Sequence, residues 1–212
     1  MKVKHYMTKD VFTVTSDVKI TDAVDIMEGN NFHRLPVVEN NQFIGLITEE
    51  LIAKGSPSKV SSLSIYEMNY LFDKVLVKDL MKTEVITISD DIHVEEAAVL
   101  MAEKDITVLP VVNDTNEVIG IITHKDIFKA LIQLTGYQEK GARVVVETKE
   151  DRIGVIAEIS NALAQNEINL SHIFVNRPDD VIEITLQTSG KEPKAVKELI
   201  ERLGYRVIEV IL

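Results

Sequence analysis

The chain has 212 residues, with 23 Lys plus Arg against 34 Asp plus Glu, a formal net charge of -11, and no cysteine. That charge argues against nucleic acid or an anionic membrane as partner, since either needs a basic face, and the missing thiols remove disulfides, thiolate chemistry and the usual structural zinc sites. No apolar run approaches the roughly 20 residues of a membrane span and no signal peptide is visible, so the expectation is a cytoplasmic protein of more than one domain.

The first part of the chain is duplicated. Sliding residues 3 to 42 by 74, and the following residues to 52 by 75 after a one-residue insertion, gives 17 identities. They include Leu35-Pro-Val-Val38 with Leu109-Pro-Val-Val112, and Gly45 and Thr48 with Gly120 and Thr123. Two copies are too few for an open solenoid, so they read as a pseudo-twofold pair facing each other across equivalent clefts.

In chain order, residues 1 to 6 are a lead-in of the kind that recurs at Val77-Lys-Asp-Leu80. Val11 to Thr15 and Val85 to Ser89 are β-branched and predict short strands. Ser16-Asp17 and Asp90-Asp91 predict helix starts, with Glu95 or Glu96 helping to cap the second. Each helix is followed by a hairpin, with Pro36 and Pro110 at strand starts, where a missing N–H costs least. Between the copies, Gly55-Ser-Pro-Ser58 breaks the chain, and Ile65, Met68, Leu71, Phe72 and Val75 predict a connecting helix over 62–75. The expected division is therefore 1–56, a connector 57–80, 81–136, a linker 137–142, and a separate domain 143–212.

In that last domain Arg143 to Glu147 reads as a strand and Asp151-Arg-Ile-Gly154 as a helix opening. Asn169 to Asn176 and Val181 to Thr188 are two more strands. Pro193 begins a helix that stops at Gly204, and Val207 to Leu212 closes the chain as a strand. This βαββαβ order predicts a ferredoxin-like α+β sandwich with two helices on one sheet face.

With this order in view, residues 7 to 128 resemble a tandem pair of CBS domains on the duplicated Leu-Pro-Val-Val and Gly-h-h-Thr words, h being apolar. Residues 143 to 212 resemble an ACT domain on Asp-Arg-Ile-Gly154, the helix after it and Ile168-Asn169-Leu170. The order of the three modules most resembles the AcuB-type acetoin-utilisation proteins of bacteria. The expected fold is thus α/β and α+β: a pseudo-twofold CBS pair followed by a ferredoxin-like ACT domain.

The resemblance implies binding rather than catalysis: an adenosine nucleotide (AMP, ADP or ATP) or cyclic di-AMP in the CBS clefts, with no cofactor. For the ACT domain it implies dimerisation and an amino acid as candidate ligand. The implied nucleotide-binding positions are Thr13, His33, Arg34, Pro36 and Thr48 in the first copy, and Thr87, Thr107, Pro110, Thr123, His124, Lys125 and Asp126 in the second. Within Thr123-His-Lys-Asp126 the hydroxyl would meet phosphate and the carboxylate would accept ribose hydroxyls; the alternative is that Thr123 and Asp126 only cap a helix. Leu51 stands where Asp126 stands, so the first copy lacks that acceptor and its site is expected to be weaker, empty or altered.

His33-Arg34 offers a basic pair for phosphate, or else an exposed Arg beside a partly packed His. Lys125 either neutralises phosphate or is solvated. In the ACT domain, Asp151, Arg152, Ile153 and Gly154 before a helix, with Asn169 nearby, form an anion-friendly turn suited to an amino-acid carboxylate. The alternative is a structural turn in which Gly154 permits close strand–helix packing. The five histidines lack metal-ligand spacing, and no nucleophile elbow or phosphate loop is present, so neither a metal site nor a catalytic residue is expected. The sequence names no target protein.

Overall fold

The computed structural model describes residues 1–55, 73–148, 152–190 and 192–211. Two units emerge, Met1–Ile127 and Phe128–Leu212, and each is described by itself. Most of the connecting helix expected over 62–75 lies outside the described residues, as does Asp151.

In the first unit, copy one contains strand β1 (Val14–Thr15), helix α1 (Ile20–Asn30), strands β2 (Arg34–Glu39) and β3 (Gln42–Thr48), and helix α2 (Glu49–Gly55). A one-turn helix α3 (Val77–Leu80) precedes copy two, which contains α4 (Val94–Lys104), β4 (Val108–Val112), β5 (Val118–Thr123) and the first turn of α5 (His124–Thr135), whose remainder belongs to the second unit. Both hairpins are antiparallel and carry a register shift at the same place, between Val37 and Val38 and between Val111 and Val112. The conserved bulge follows from the duplicated words, because equal sequences meet equal pairing demands.

The two copies exchange their lead-ins. Val3 and Lys4 donate their N–H groups to Ile92 and Asp90, both at 3.0 Å, and Thr8 bridges Ile121. In return Val77 donates to Val18 at 2.8 Å, and Lys82 exchanges two 2.9 Å bonds with Leu46. At the hairpin tips Phe43 and Asn116 bond across the pair, N–H to C=O at 2.8 Å. The core of copy one accordingly includes Val77 beside Ile20, Met27, Leu35, Val37 and Ile47, all nearly inaccessible. The division at 56 and 81 therefore does not separate self-contained modules; each copy is completed by a short helical turn of the other, flanked by single backbone bridges.

The exchange also delays the helices. They begin at Ile20 and Val94 rather than at Ser16-Asp17 and Asp90-Asp91, because Lys19 and His93 are extended and bridge Leu76 and Lys2. Glu96 does cap the second helix, accepting the His93 N–H at 3.1 Å. Of the strands expected at 11–15 and 85–89, only Val14–Thr15 pairs over more than one residue; copy two retains a single bridge, Ile88 to Val111.

The second unit has the expected order: β6 (Ala142–Thr148), α6 (Val155–Gln165), β7 (Asn169–Asn176), β8 (Ile182–Ser189), α7 (Pro193–Arg202) and β9 (Arg206–Ile211). Its four-stranded antiparallel sheet runs β7-β8-β6-β9. Val144, Val146, Ile184 and Leu186 turn one face toward Ile159, Leu163, Val196 and Ile200 of the two helices, forming the core. Pro193 lies in the first turn of α7, and Gly204, at φ 89°, follows its end, as the sequence predicts.

The other sheet face is covered in part by residues 135–139, so 137–142 is not a free linker. Arg143 donates to the Thr135 carbonyl at 3.0 Å and lies between the rings of Tyr137 and Phe174, at 5.3 and 5.1 Å from their centroids. Gln187 Nε2 donates to the Glu139 carbonyl at 3.2 Å. Gly136, at φ 61°, lets this turn approach His172: a Cβ there would lie 2.3 Å from Nδ1. The end of α5 is satisfied by a charged, ring-stacked side chain on β6.

Candidate ligand-binding clefts

Within the first unit a cleft of about 500 Å³ opens between the copies. Copy one contributes Leu46, Thr48, Glu50, Leu51 and Lys54; copy two contributes Lys82, Glu84, Val85, Ile86 and the run Lys104 to Val108. Its placement depends on Gly45. A Cβ at Gly45 would lie 2.7 Å from the Lys82 carbonyl oxygen, so only glycine admits the lead-in that brings Lys82 and Glu84 to the cleft. Asp105, at φ 51°, ends α4 in the left-handed conformation and leads the chain to Ile106 and Thr107 at the cleft wall.

Of the expected nucleotide contacts, the structure brings Thr48 and Thr107 to this cleft. Thr48 Oγ1 accepts the Leu51 N–H at 3.2 Å, capping α2. The Thr107 hydroxyl accepts from the Arg34 guanidinium at 3.2 Å. Arg34 is half-buried, and burial lowers its pKa from the ordinary value while Glu49 opposes that. His33 Nδ1 lies 2.9 Å from Glu49 Oε2. Neither His33 nor Arg34 lines the cleft.

Thr123, His124, Lys125 and Asp126 lie at the start of α5, outside this cleft. The Asp126 carboxylate accepts both the Thr123 N–H at 3.0 Å and its hydroxyl at 2.8 Å, and the residue is only 7% exposed. That is the geometry of the capping alternative. His124 Nδ1 is 3.4 Å from the Thr107 carbonyl, and Lys125 is exposed. Pro36 and Pro110 are buried in β2 and β4, opposite Leu46 and Ile121. Thr13 is exposed, and Thr87 lines a separate groove along α4 with Ile92, Glu95 and Val99.

Leu51 both lines the cleft and packs against the core of copy one, so the position matching Asp126 is an apolar wall. The residues that sequence reasoning missed are Lys54, Lys82, Glu84, Lys104 and Asp105. At the common offset of 74, Lys82 matches Thr8 and Lys104-Asp105 matches Asn30-Asn31, so these charges differ between the copies, whereas Glu84 matches the equally acidic Asp10.

In the second unit a pocket of about 470 Å³ lies at the start of α6, lined by Thr148, Arg152, Gly154 to Ala157, Val175, Arg177, Ile182 and Ile184. Arg152 and Gly154 are among the expected residues, and Arg177 joins them. Ile153 is fully exposed and Asn169 donates to Ser189 at 3.1 Å, so neither reaches the pocket. Gly154 is at φ 97° and a Cβ there would meet nothing within 4 Å. Backbone conformation, not close packing, therefore requires glycine there.

Arg152 also bonds Glu158 at 2.5 Å and the Tyr205 hydroxyl at 3.0 Å, while that hydroxyl donates to Glu158 at 2.7 Å. The Tyr205 bond, then Arg152, holds the Glu158 pKa below its ordinary value; burial, then Glu158, raises that of Tyr205. Among the described residues no three His, Asp or Glu side chains gather as a metal site, and no helix is long and apolar enough to cross a membrane.

The CBS domain family pattern matches residues 3–56 and 77–133, together more than half of the chain. The chain is a CBS-domain protein. Its CBS pair is followed by an ACT domain, matched over 142–205. An inosine-5'-monophosphate dehydrogenase from Methanocaldococcus jannaschii is 32% identical over 147 residues, 68% of this chain but 26% of the enzyme. This CBS-domain protein therefore spans about a quarter of that relative's length.

The CBS domain pair of protein MJ0100, solved in complex with 5'-methylthioadenosine and S-adenosyl-L-methionine, superposes with TM-score 0.51 at 29% identity, covering 62% of this chain and 99% of that one. A Vibrio cholerae protein described as an acetoin utilization protein, AcuB, gives TM-score 0.54 at 25% identity over 66% of this chain and 97% of that one. The AcuB-type resemblance read from the sequence thus has a structural counterpart.

Proposed function

We propose that this CBS-domain protein is a regulatory ligand-binding protein, not an enzyme, whose CBS pair takes an adenosine nucleotide or related adenosyl compound. AMP, ADP, ATP and cyclic di-AMP are the sequence-derived candidates, and methylthioadenosine joins them from the MJ0100 pair. The observation that carries the reading is the cleft itself: about 500 Å³, apolar on Leu46, Val85, Ile86 and Val108, with the Thr48 and Thr107 hydroxyls at its wall. Such a concave apolar site with a few polar groups suits a flat base on a polar sugar. Occupancy would alter a surface read by a target protein. We propose further that the ACT domain dimerises through its outer strands β7 and β9, each paired on one side within the chain. Its pocket, apolar with Arg152 and Arg177 at the start of a helix, supports an amino acid as a second ligand.

Calorimetric titration of the purified chain with each compound tests the reading. A ligand at a hundred times its dissociation constant adds about 2.7 kcal/mol to stability, so a melting shift should accompany heat. Absence of both for every adenosyl compound would leave an assembly protein with vestigial clefts.

A further inference from the structure

The cleft between the copies is balanced in charge. Lys54, Lys82 and Lys104 face it together with Glu50, Glu84 and Asp105. Glu50 and Lys54 pair at 2.7 Å. The other four come from two segments of copy two, and each segment presents one cation beside one carboxylate. Of the basic residues expected at a phosphate, His33 pairs with Glu49, and Arg34, which also feels Glu49, is committed to the Thr107 hydroxyl at the cleft wall. The chain as a whole carries a net charge of -11. A polyphosphate entering here meets no surplus of positive charge, and the long-range field opposes it.

Asp105 is not explained by its helix. A carboxylate at a helix C-terminus faces the negative end of the macrodipole, and the matching residue in copy one, Asn31, adopts the same left-handed conformation, at φ 55°, without a charge. The carboxylate is therefore dispensable to the turn and available to the cleft.

On the reading that this cleft holds an adenosyl ligand, we infer that it selects for low net charge. It takes a nucleoside, an adenosyl thioether or sulfonium, or a monophosphate in preference to a di- or triphosphate. Glu84 and Asp105 are the specificity-determining residues, acting by excluding extra phosphate rather than by gripping the base.

The test compares 5'-methylthioadenosine, AMP and ATP, in magnesium-free buffer of fixed ionic strength, on the full chain and on the Glu84→Gln/Asp105→Asn double variant. Wild type should bind methylthioadenosine or AMP at least about tenfold more tightly than ATP. The double variant, with two cations in excess, should gain about tenfold or more for ATP while methylthioadenosine changes by no more than about twofold. Asn in the left-handed turn and Gln at an exposed site should leave the melting temperature unchanged, and Lys104→Gln added to the pair should reverse part of the ATP gain. Wild-type preference for ATP, or equal gains for all three ligands, overturns the charge selection while leaving adenosyl binding intact. If no adenosyl compound binds either protein, both readings fall together.

Discussion

The interlock of the two copies can be tested through three glycines that differ in what surrounds them. At Gly45 a Cβ would lie 2.7 Å from the Lys82 carbonyl oxygen and 3.2 Å from Met81 Sδ. That carbonyl is held by a 2.9 Å bond from the Leu46 N–H, so backbone must shift. Overpacking of this kind costs about 1–3 kcal/mol. At Gly120 the nearest atoms belong to Met7, with Sδ at 2.4 Å. A methionine side chain repacks more readily than backbone, so about 1 kcal/mol is expected. Gly29 lies in α1 with nothing within 4 Å. There alanine should stabilise by about 0.5–1 kcal/mol through helix propensity.

The predicted order of stability is Gly29→Ala above wild type, then Gly120→Ala, then Gly45→Ala. Urea unfolding followed by circular dichroism gives the free energies, with an unchanged m-value as the check on compactness. Hydrogen exchange at the Leu46 and Lys82 amides assigns the loss to the lead-in, where Gly45→Ala should accelerate both. A Gly45→Ala protein as stable as wild type, with slow exchange at both amides, would refute the exchanged lead-ins.

Other substitutions probe the capping and anchoring contacts. Asp126→Ala removes the acceptor of two Thr123 bonds and should cost about 1–2 kcal/mol; unchanged stability by urea titration would mean that Asp126 is not a cap. Leu51→Asp places a carboxylate against the core of copy one and should destabilise the first unit by more than 1 kcal/mol, roughly, rather than create a ribose site. Arg143→Leu should speed amide exchange in residues 136–139 and lower the stability of the second unit by about 1.5–3 kcal/mol, since the lost bond comes from a charged donor. Glu158 has a lowered folded pKa, so its contribution is present above the ordinary carboxylate value of 4.5 and is lost as pH falls through the folded value. Glu158→Gln should remove that part of the acid sensitivity, visible as a flatter stability profile below about pH 4.5.

The sequence by itself determined the parts made by local pattern. Duplicated Leu-Pro-Val-Val and Gly-h-h-Thr words set two equal hairpins, bulge included, because pairing register follows the alternation of apolar residues. The βαββαβ order of the ACT domain, with Pro193 opening and Gly204 closing its last helix, was legible for the same reason. Tertiary structure alone decided which segment completes which copy. Val3-Lys4 and Val77-Lys78 repeat the same pair of residues, yet each bonds across the pair of copies, a choice made by long-range backbone pairing that no local pattern encodes. It also decided the candidate site. Thr48 and Thr107 are far apart in sequence but share one cleft, whereas Thr123 and Asp126 satisfy each other. The lysines and carboxylates of that cleft look like ordinary solvated charges in the sequence; they gather around one cleft only because Gly45 lets one backbone approach another.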